Sequence, residues 1–449
     1  MGIADLIWHG IRLYRHNRWP RERVIAYSEA CFRRQLRYAY AHCPFYRQYY
    51  AASGIRESDL NTIKPCDLPP IDKDTVRASF DGIAVKTGPA PRVPGLVAEE
   101  GLRHDLFVVH SSGSTGKPAN FLYSKNALTQ VISNFVRLSL GGNNPIRIGD
   151  FPIRALFVAS VGEGYASVAL ASSGLREYHS KSLVLNIKDP YQDWAEKIQQ
   201  FQPTYVAGYP SCLRLIAEMQ RSGKISVRPK KIITGGEPLT TDTKTLLLKA
   251  FGADIIDYYA SSESLLIGAG SSWYEGTYLF DDMNYTEVDS AGRLLMTPLY
   301  NDVFPLIRYR LDDVVIGFSR DYIGPLPYTH IDRVIGRSEE VMWFRNPKGE
   351  WDFLHPLFID ELEVAGVRDY QFLQTGETAL TVFIVPERGT SPQHLCEEAR
   401  SQVASFLARK GLQNVQIDVE VATELKADEK TGKRKLVVKQ GRWYPDAPI

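Results

Sequence analysis

Short apolar runs alternate with helical patterns through the middle of this 449-residue chain, and this alternation restricts the fold more than any other feature. The strand-like runs are RALFVAS (154–160), TYVAGY (204–209), KKIITGGEPL (230–239) and DIIDYYASSES (254–264), and the helical segments between them are 193–201, 212–223 and 244–252. Strands that alternate with helices in this way form a mainly parallel sheet with helices packed on it. We therefore predict an α/β body.

The segments on either side of this body have a different pattern. Residues 21–50 show helical spacing interrupted at Pro44, and Asp72 is a candidate N-cap for the helix that follows it. Beyond residue 337, strand candidates at 380–386 and 415–422 surround a helical segment, 395–411. A stretch of about 110 residues is enough for a separate small domain. We predict two domains, residues 1–336 and 337–449.

Charge and cysteine content exclude several classes of function. The chain has 53 Lys and Arg against 52 Asp and Glu, which gives no bulk electrostatic reason to bind nucleic acid or an anionic membrane. The five cysteines are scattered without a C-x-x-C pair, as expected for free thiols in a reducing compartment. The first sixteen residues have the spacing of an amphipathic helix packed on the body. We expect a cytoplasmic protein.

A small polar loop follows the apolar strand LFVVH (106–110). Its sequence, SSGSTGKPA (111–119), lets backbone N–H groups converge on an anion, and its hydroxyls and lysine add donors. The glycine spacing is too short for a Walker P-loop, and Pro118 follows the lysine. We assign phosphate binding to this loop, with a plain surface turn as the alternative. The assigned residues are Ser112, Gly113, Ser114, Thr115, Gly116 and Lys117.

This loop resembles the phosphate loop of the adenylate-forming superfamily, which includes acyl-CoA synthetases, adenylation domains and luciferases. The segments LRYAYAHCPFY (36–46) and LPPIDKDTVR (68–77) are similar to the phenylacetate–CoA ligase-like branch, which also holds the capsular-polysaccharide adenylyltransferase-like proteins. The resemblance runs from about residue 30 to about residue 440. It implies a large multi-sheet N-terminal adenylation domain and a small mobile α+β C-terminal domain.

Two further segments are similar to the nucleotide-binding segments of that superfamily. The turn Gly235, Gly236 and Glu237 resembles the turn that lies along adenine, and DYYASSE (257–263) resembles a Y-G-x-S/T-E segment. The resemblance implies that Tyr259 stacks on the purine, beside Tyr258, and that Asp257 accepts from the exocyclic amine. It also implies that Ser262 binds phosphate and that Glu263 ligates Mg²⁺, a cation that favours carboxylate and phosphate oxygens. Taken alone, the two tyrosines are typical packing aromatics.

Three charged residues complete the resemblance. RYRLDD (308–313) is similar to a Y-x-T-G-D segment, which implies that Asp313 holds the ribose hydroxyls, although Leu311 and Asp312 depart from the pattern. Arg337 begins a hinge-like segment and would reach the ribose or a phosphate. Lys433 in KTGKRK (430–435) resembles the late lysine that bridges the attacking carboxylate and the α-phosphate.

The acid pocket is expected between the segment 158–168 and the turn 208–212. The glycines Gly162 and Gly164 permit close approach, and Tyr165 and Tyr209 provide aromatic walls that suit an aryl or arylacetic acid. The segment 265–280 contains neither Cys nor His, so we expect no structural zinc.

The resemblance implies ATP-dependent, AMP-forming activation of a small, aromatic carboxylic acid, with ATP and Mg²⁺ as cofactors and coenzyme A as the acyl acceptor. Transfer to an amine or to a carrier-protein thiol is the first alternative, and a non-catalytic nucleotide-binding homologue is the second. The aromatic-rich segment 343–356 is interpreted as a polar loop that either lines the path of coenzyme A or covers a protein partner. The identity of the acid and the oligomeric state stay open.

Overall fold

The computed structural model describes residues 3–85, 106–110, 119–159, 181–187, 189–290, 292–335, 342–354, 362, 364–387, 390–423, 425 and 437–439. Ten α-helices lie in these ranges. They are α1 (Ile3–His16), α2 (Arg21–His42), α3 (Pro44–Ala52), α4 (Lys73–Ala78), α5 (Phe80–Ile83), α6 (Lys125–Ser139), α7 (Trp194–Phe201), α8 (Pro210–Arg221), α9 (Thr241–Phe251) and α10 (Pro392–Arg409). Among the described residues no helix is long and apolar enough to cross a membrane.

Twenty β-strands lie in the same ranges. They are β1 (Leu106–His110), β2 (Asn120–Ser124), β3 (Arg154–Ala159), β4 (Lys181–Asn186), β5 (Tyr205–Gly208), β6 (Lys231–Gly235), β7 (Asp254–Tyr259), β8 (Gly268–Ser271), β9 (Thr277–Leu279), β10 (Asn284–Val288), β11 (Arg293–Pro298), β12 (Tyr309–Ile316), β13 (Thr329–Ile331), β14 (Arg333–Ile335), β15 (Met342–Arg345), β16 (Trp351–Leu354), β17 (Val367–Gly376), β18 (Ala379–Pro386), β19 (Gln416–Val421) and β20 (Val437–Lys439).

The central sheet has eight strands in the order β13-β9-β8-β7-β6-β5-β3-β4. Its five strands β4, β3, β5, β6 and β7 are parallel. Of these, β3, β5, β6 and β7 correspond to predicted strand runs, whereas β4 does not correspond to any. Helices α8 and α9 connect β5 to β6 and β6 to β7, and their apolar faces share one buried cluster with these strands. The remaining strands β8, β9 and β13 extend the sheet in antiparallel fashion. The predicted α/β body is confirmed, with an antiparallel extension.

The N-terminal helices confirm three predictions. Helix α2 ends at His42 and α3 begins at Pro44, so the predicted break lies at the proline, which occupies the first helical position. Asp72 caps α4, because its carboxylate accepts the N–H of Thr75 at 3.0 Å. Helix α1 packs along α6, where its residue Leu6 shares a buried cluster with Ile132.

A second sheet carries part of the candidate site. Its strands β10-β11-β12-β14 pair in antiparallel fashion. The N-terminal segment joins this sheet, since Ile71 donates its N–H to the carbonyl of Arg308 at 3.2 Å and accepts the N–H of Arg310 at 2.8 Å. Strand β12 is therefore held between its own sheet and the segment that precedes α4.

The C-terminal part of the chain forms a smaller sheet, β19-β18-β17-β20, with α10 packed on it. Its core includes Phe372, Leu380 and Val382 of the strands and Leu395 and Leu407 of the helix. The predicted strands at 380–386 and 415–422 and the helix at 395–411 correspond to β18, β19 and α10. This C-terminal sheet has a core of its own, as the expected α+β character requires.

The interpretation of residues 343–356 as a polar loop is wrong for the described residues 343–354. They form an antiparallel hairpin of β15 and β16, in which Phe344 and Phe353 are 0% and 1% exposed. Because side chains alternate across a strand, one face packs into the core of the C-terminal sheet and the other against the central sheet. The first face carries Met342, Phe344 and Leu354, and the second carries Trp343 and Phe353. The hairpin therefore joins two cores, with Phe344 and Phe353 buried and Trp343 and Trp351 half-buried.

A buried ion pair lies beside this hairpin. Asp352 Oδ1 is 3.2 Å from Lys410 Nζ, and the two side chains are 1% and 0% exposed. The ammonium also donates to the carbonyl of Asp189 at 2.7 Å and lies 4.1 Å from the ring centroid of Phe353. Burial raises the pKa of Asp352, whose Oδ1 also accepts the N–H of Phe353 at 2.7 Å, and burial lowers the pKa of Lys410. The pair thus ties the hairpin and α10 to the segment that leads into α7.

Candidate functional site

The carboxyl ends of three neighbouring parallel strands bring the predicted residues to one edge of the central sheet. The residues that follow these ends are Tyr209 after β5, Gly236 and Glu237 after β6, and Ser262 and Glu263 after β7. In open parallel sheets, ligands bind beyond this edge, where loops and helix N-termini present polar groups. Motifs that are separated along the chain therefore lie together at one edge of the sheet.

Strand β7 carries three of the predicted residues on its two faces. Asp257 and Tyr259 share one face and Tyr258 lies on the other, because side chains alternate along a strand. The Tyr258 ring packs on Phe135 at a centroid distance of 4.7 Å, and its hydroxyl has no hydrogen-bond partner among the described residues. The ring of Tyr258 therefore packs into the core on the face of β7 opposite to Asp257 and Tyr259, and its assignment to the nucleotide site stays a prediction.

Tyr259 and Asp313 come together although they are distant in sequence. The Tyr259 hydroxyl donates to Asp313 Oδ2 at 2.9 Å, which joins the end of β7 to β12 of the second sheet. Burial raises the pKa of Tyr259 well above its usual range, and the neighbouring Asp313 carboxylate raises it further. The hydroxyl is therefore a permanent donor that orients the carboxylate. The sequence motifs predict both residues for the site but contain no signal for the bond between them.

Glu263 is buried at the same edge. Its Oε1 accepts from the Tyr309 hydroxyl at 3.0 Å, and the Ser261 side chain and the N–H of Glu263 itself also donate to the carboxylate. Burial raises the pKa of Glu263, while these donors and the ammonium of Lys73 lower it. The sequence analysis gives no role to Tyr309, although it stands second in the same RYRLDD segment as Asp313.

The hairpin of β1 and β2 lies against the segment 261–263. Ser262 Oγ donates to the carbonyl of His110 at 2.8 Å, and the Tyr123 hydroxyl donates to the carbonyl of Ser262 at 2.6 Å. These bonds hold the two strands that flank the predicted phosphate loop beside Glu263. The loop residues themselves, Ser112 to Lys117, lie outside the described residues.

Glu237 connects the predicted adenine turn to the predicted acid pocket. Its two carboxylate oxygens accept from the N–H and the hydroxyl of Ser211, each at 3.0 Å. Ser211 lies in the first turn of α8, where backbone N–H groups lack helical partners and a negative charge is favourable. Gly236 has φ +80°, and a Cβ at this position would lie 2.9 Å from the ring of Tyr209. Only glycine fits there, and Tyr209 is thereby held against the turn.

Several predicted residues cannot be placed in this geometry because they lie outside the described residues. They are the phosphate loop, the pocket residues Gly162, Gly164 and Tyr165, the hinge residue Arg337 and the lysine Lys433. Their assignments stay predictions.

The donor set at Glu263 fits a magnesium ion bound mainly through a nucleotide. In the described part of the chain, no group of three or more His, Cys, Asp or Glu side chains could hold a metal ion. Mg²⁺ in nucleotide sites usually takes one or two carboxylates together with phosphate oxygens and water. A single buried carboxylate, fixed by Tyr309, matches that requirement and does not match an all-protein metal cage.

Asp257, a residue of this site, should make the folding stability of the protein depend on pH. Burial raises its pKa from 3.8 to about 6, although the Thr234 hydroxyl donates to its Oδ1 at 2.5 Å. The folded protein therefore holds a proton that the unfolded chain releases, so folding stability falls as the pH rises between about 4 and 6. The pKa change corresponds to about 3 kcal/mol. We expect Asp257→Asn to be more stable than the wild type above pH 6 by about that amount and equal to it near pH 4.

Urea denaturation of both proteins at a series of pH values measures this difference. A constant difference from pH 4 to pH 7 would mean that Asp257 ionises normally in the folded state. Thr234→Val removes the hydroxyl that donates to Asp257, so the charged carboxylate loses a hydrogen bond. The free energy of unfolding of this variant should therefore fall more between pH 4 and pH 7 than that of the wild type.

Sequence comparison finds known proteins that are similar to this chain. The family model described as AMP-binding enzyme matches residues 71–298. The phenylacetate-coenzyme A ligase of Escherichia coli (strain K12) is 27% identical over 339 residues, which cover 69% of this chain and 70% of that protein. Protein CapK of Staphylococcus aureus is 21% identical over 342 residues, which cover 67% of this chain and 65% of that protein.

Among solved structures, this chain is similar to 2-hydroxyisobutyryl-CoA ligase in complex with 2-HIB-AMP and CoA. The two superpose with a TM-score of 0.61 at 18% identity, over 95% of this chain and 92% of that chain. At this level of identity the likeness concerns the fold, which combines several sheets in one chain.

Proposed function

This chain belongs to the AMP-binding enzyme family, the adenylate-forming superfamily, and we propose that it is an AMP-forming acid–coenzyme A ligase. It uses ATP to convert a small carboxylic acid into an acyl-AMP, releases pyrophosphate, and transfers the acyl group to coenzyme A. The observation that carries this proposal is the convergence of Tyr259, Asp313 and Glu263 at the carboxyl edge of the central sheet. The similarity to phenylacetate-coenzyme A ligases over most of both chains supports it.

The nucleotide occupies that edge in this proposal. Tyr259 stacks on the purine and Asp257, on the same face of β7, accepts from the exocyclic amine. Asp313 holds the ribose hydroxyls while the bond from Tyr259 orients its carboxylate. The loop 112–117 receives the phosphates, and its neighbour Ser262 is already fixed to the flanking strand by its bond to His110.

Magnesium supplies charge neutralisation to the phosphates when it is bound, and Glu263 is the residue that would hold it. Two anions, the acid and the triphosphate, must meet, so positive charge at this position lowers the electrostatic barrier. The chain contributes a carboxylate that is fixed in direction by Tyr309 and shielded from water by burial.

The two half-reactions balance without a further reactant. A carboxylate oxygen of the acid forms a bond to the α-phosphorus, and the bond from that phosphorus to pyrophosphate breaks. The thiol of coenzyme A then attacks the acyl carbon, loses its proton to solvent and releases AMP. Lys433 stabilises the charge in the first step, and we infer that residues 337–449 form a mobile domain that rotates near Arg337 between the steps.

The acid is proposed to be aromatic. Tyr209 is buried against Gly236 and lies at the carboxyl end of β5, where it forms one wall of the predicted pocket. Gly162, Gly164 and Tyr165 are proposed to form the opposite wall. An aromatic wall of this kind favours a planar, apolar acid such as an aryl or arylacetic acid.

A panel of acids read by ATP–pyrophosphate exchange tests this function. We expect exchange with an aryl or arylacetic acid, phenylacetate among those tested, to exceed exchange with acetate by about tenfold or more, because an aromatic ring buries far more apolar area than a methyl group. Addition of coenzyme A should then convert the acyl-AMP into a thioester and AMP. If acyl-AMP accumulates and coenzyme A never consumes it, the acceptor is an amine or a carrier protein. If no acid supports exchange, the chain binds nucleotide without turnover.

A further inference from the structure

Tyr309 is a buried tyrosine at the candidate site that no motif role explains. Its side chain is 2% exposed and its hydroxyl lies 3.0 Å from Glu263 Oε1. The ring packs edge-on against Phe121 of β2, at a centroid distance of 6.1 Å. The ring of Tyr309 therefore packs in the core, while its hydroxyl donates to the Glu263 carboxylate.

The backbone on both sides of Tyr309 is held in place. Arg310 donates its N–H to the carbonyl of Ile71 at 2.8 Å, and its guanidinium lies 3.0 Å from the Asp72 carboxylate. Arg308 adopts φ +51°, and its guanidinium binds Glu287 at 2.9 Å and the carbonyl of Leu68. Several bonds to distant segments therefore fix the start of β12. The hydroxyl has little freedom to leave the carboxylate.

We infer that Tyr309 is a positioning residue for Glu263. By donating to one carboxylate oxygen, it directs the remaining lone pairs of the carboxylate toward the metal–phosphate group of bound MgATP. This inference rests on the proposed role of Glu263 as the magnesium ligand. Residues that hold a ligating group from behind typically contribute about 10–100-fold to metal affinity. Tyr309 would thus determine how tightly magnesium is held, without touching it.

Tyr309→Phe tests this inference, because it keeps the ring and removes only the hydroxyl. Binding of ATP, without any acid, is measured by isothermal titration calorimetry at graded concentrations of magnesium chloride. We expect the half-saturating magnesium concentration to rise by about tenfold or more. In steady state, with an acid that supports turnover, the same variant should regain most of its kcat at high magnesium, which a merely structural loss would not permit.

Tyr328→Phe is the matched control. Tyr328 is 1% exposed, and its hydroxyl makes one bond of 2.9 Å, to Asn17 Oδ1, away from the site. Each variant loses one hydrogen bond, and the loss at Tyr309, whose acceptor is a buried carboxylate, should lower the thermal unfolding temperature more than the loss at Tyr328, whose acceptor is an amide oxygen. Only Tyr309→Phe should change the magnesium titration.

The double variant Glu263→Gln/Tyr309→Phe tests whether Tyr309 acts through Glu263, separately from the proposed function. It also lacks the buried carboxylate charge, so it can be used if Tyr309→Phe alone folds poorly. If Tyr309 acts through Glu263, the double variant should match Glu263→Gln in its magnesium titration, since effects of coupled residues are not additive. A further loss in the double variant, or an unchanged titration in Tyr309→Phe, overturns the inference. If ATP binding to the wild type itself is independent of magnesium, the assignment of Glu263 fails instead.

Discussion

Lys433→Ala is expected to lower the rate of acyl-AMP formation by about 10²–10³, because it removes the cation that bridges the acid carboxylate and the α-phosphate. Thioester formation from acyl-AMP added to the enzyme should change much less, since the second step does not bring two anions together. Pyrophosphate exchange measures the first step, and thioester release in a single turnover measures the second.

The neighbouring lysines provide the controls for this prediction. Lys430 and Lys435 lie in the same basic segment, and alanine at either position should leave exchange within a few-fold of the wild type. Exchange at the wild-type rate in Lys433→Ala would move the catalytic role to one of these two. Equal losses in both half-reactions would indicate misplacement of the whole segment.

Lys410→Met is expected to destabilise the protein by about 3–5 kcal/mol, because it leaves the Asp352 carboxylate buried without its counter-ion. Asp352 and Lys410 are 1% and 0% exposed, so neither charge can be rescued by water without a change of packing. Urea denaturation followed by tryptophan fluorescence measures the loss, and Trp343 and Trp194 report directly on the contacts beside the pair.

Two further variants show whether burial is the reason. Asp352→Leu/Lys410→Met removes both charges and should recover much of the lost stability, as replacement of a buried pair by apolar residues often does. Glu377→Gln removes an exposed ion pair, since the side chains of Glu377 and Arg345 are 43% and 41% exposed. It should lower the free energy of unfolding by only about 0–1 kcal/mol. A loss in Lys410→Met no larger than that would show that the buried pair adds nothing to the attachment of the hairpin.

Four of the five parallel strands of the central sheet could be predicted because their signals are local. Strands β5, β6 and β7 are short apolar runs bounded by glycine or polar turns, and the helices between them have regular apolar spacing. The antiparallel strands β8 and β9 carry no comparable signal, since GAGS and TYL are too short for periodicity. Their pairing depends on partners elsewhere in the sheet.

The hairpin of β15 and β16 could not be predicted from the sequence, for a physical reason. The turn residues of RNPKGE (345–350) dominate the local pattern, and each strand has only four residues. Its aromatic side chains become buried only because two distant cores meet there. Lys410 gives no warning either, because a lysine at the end of a helix is normally solvated and its partner Asp352 lies far away in sequence.

Most of the candidate site could be found through family resemblance, but its internal bonds could not. The motifs predict Tyr259, Asp313 and Glu263 as separate ligands of one nucleotide. The bond from Tyr259 to Asp313 joins β7 to β12 of the second sheet, and the bond from Tyr309 to Glu263 joins β12 to the segment that follows β7. Bonds of this kind depend on how the two sheets pack, which no short segment encodes.

The hairpin of β15 and β16 also affects the thermodynamics of the proposed rotation of residues 337–449, because it packs on two cores. Trp343 and Phe353 lie in the cluster of the central sheet, while Met342 and Phe344 lie in that of the C-terminal sheet. Swinging the C-terminal sheet away would transfer the first two rings into water, and hydration of apolar surface raises the heat capacity. The enthalpy difference between the docked form and the undocked form would therefore depend on temperature. If undocking precedes acyl transfer, an Arrhenius plot of the rate of acyl transfer would be curved.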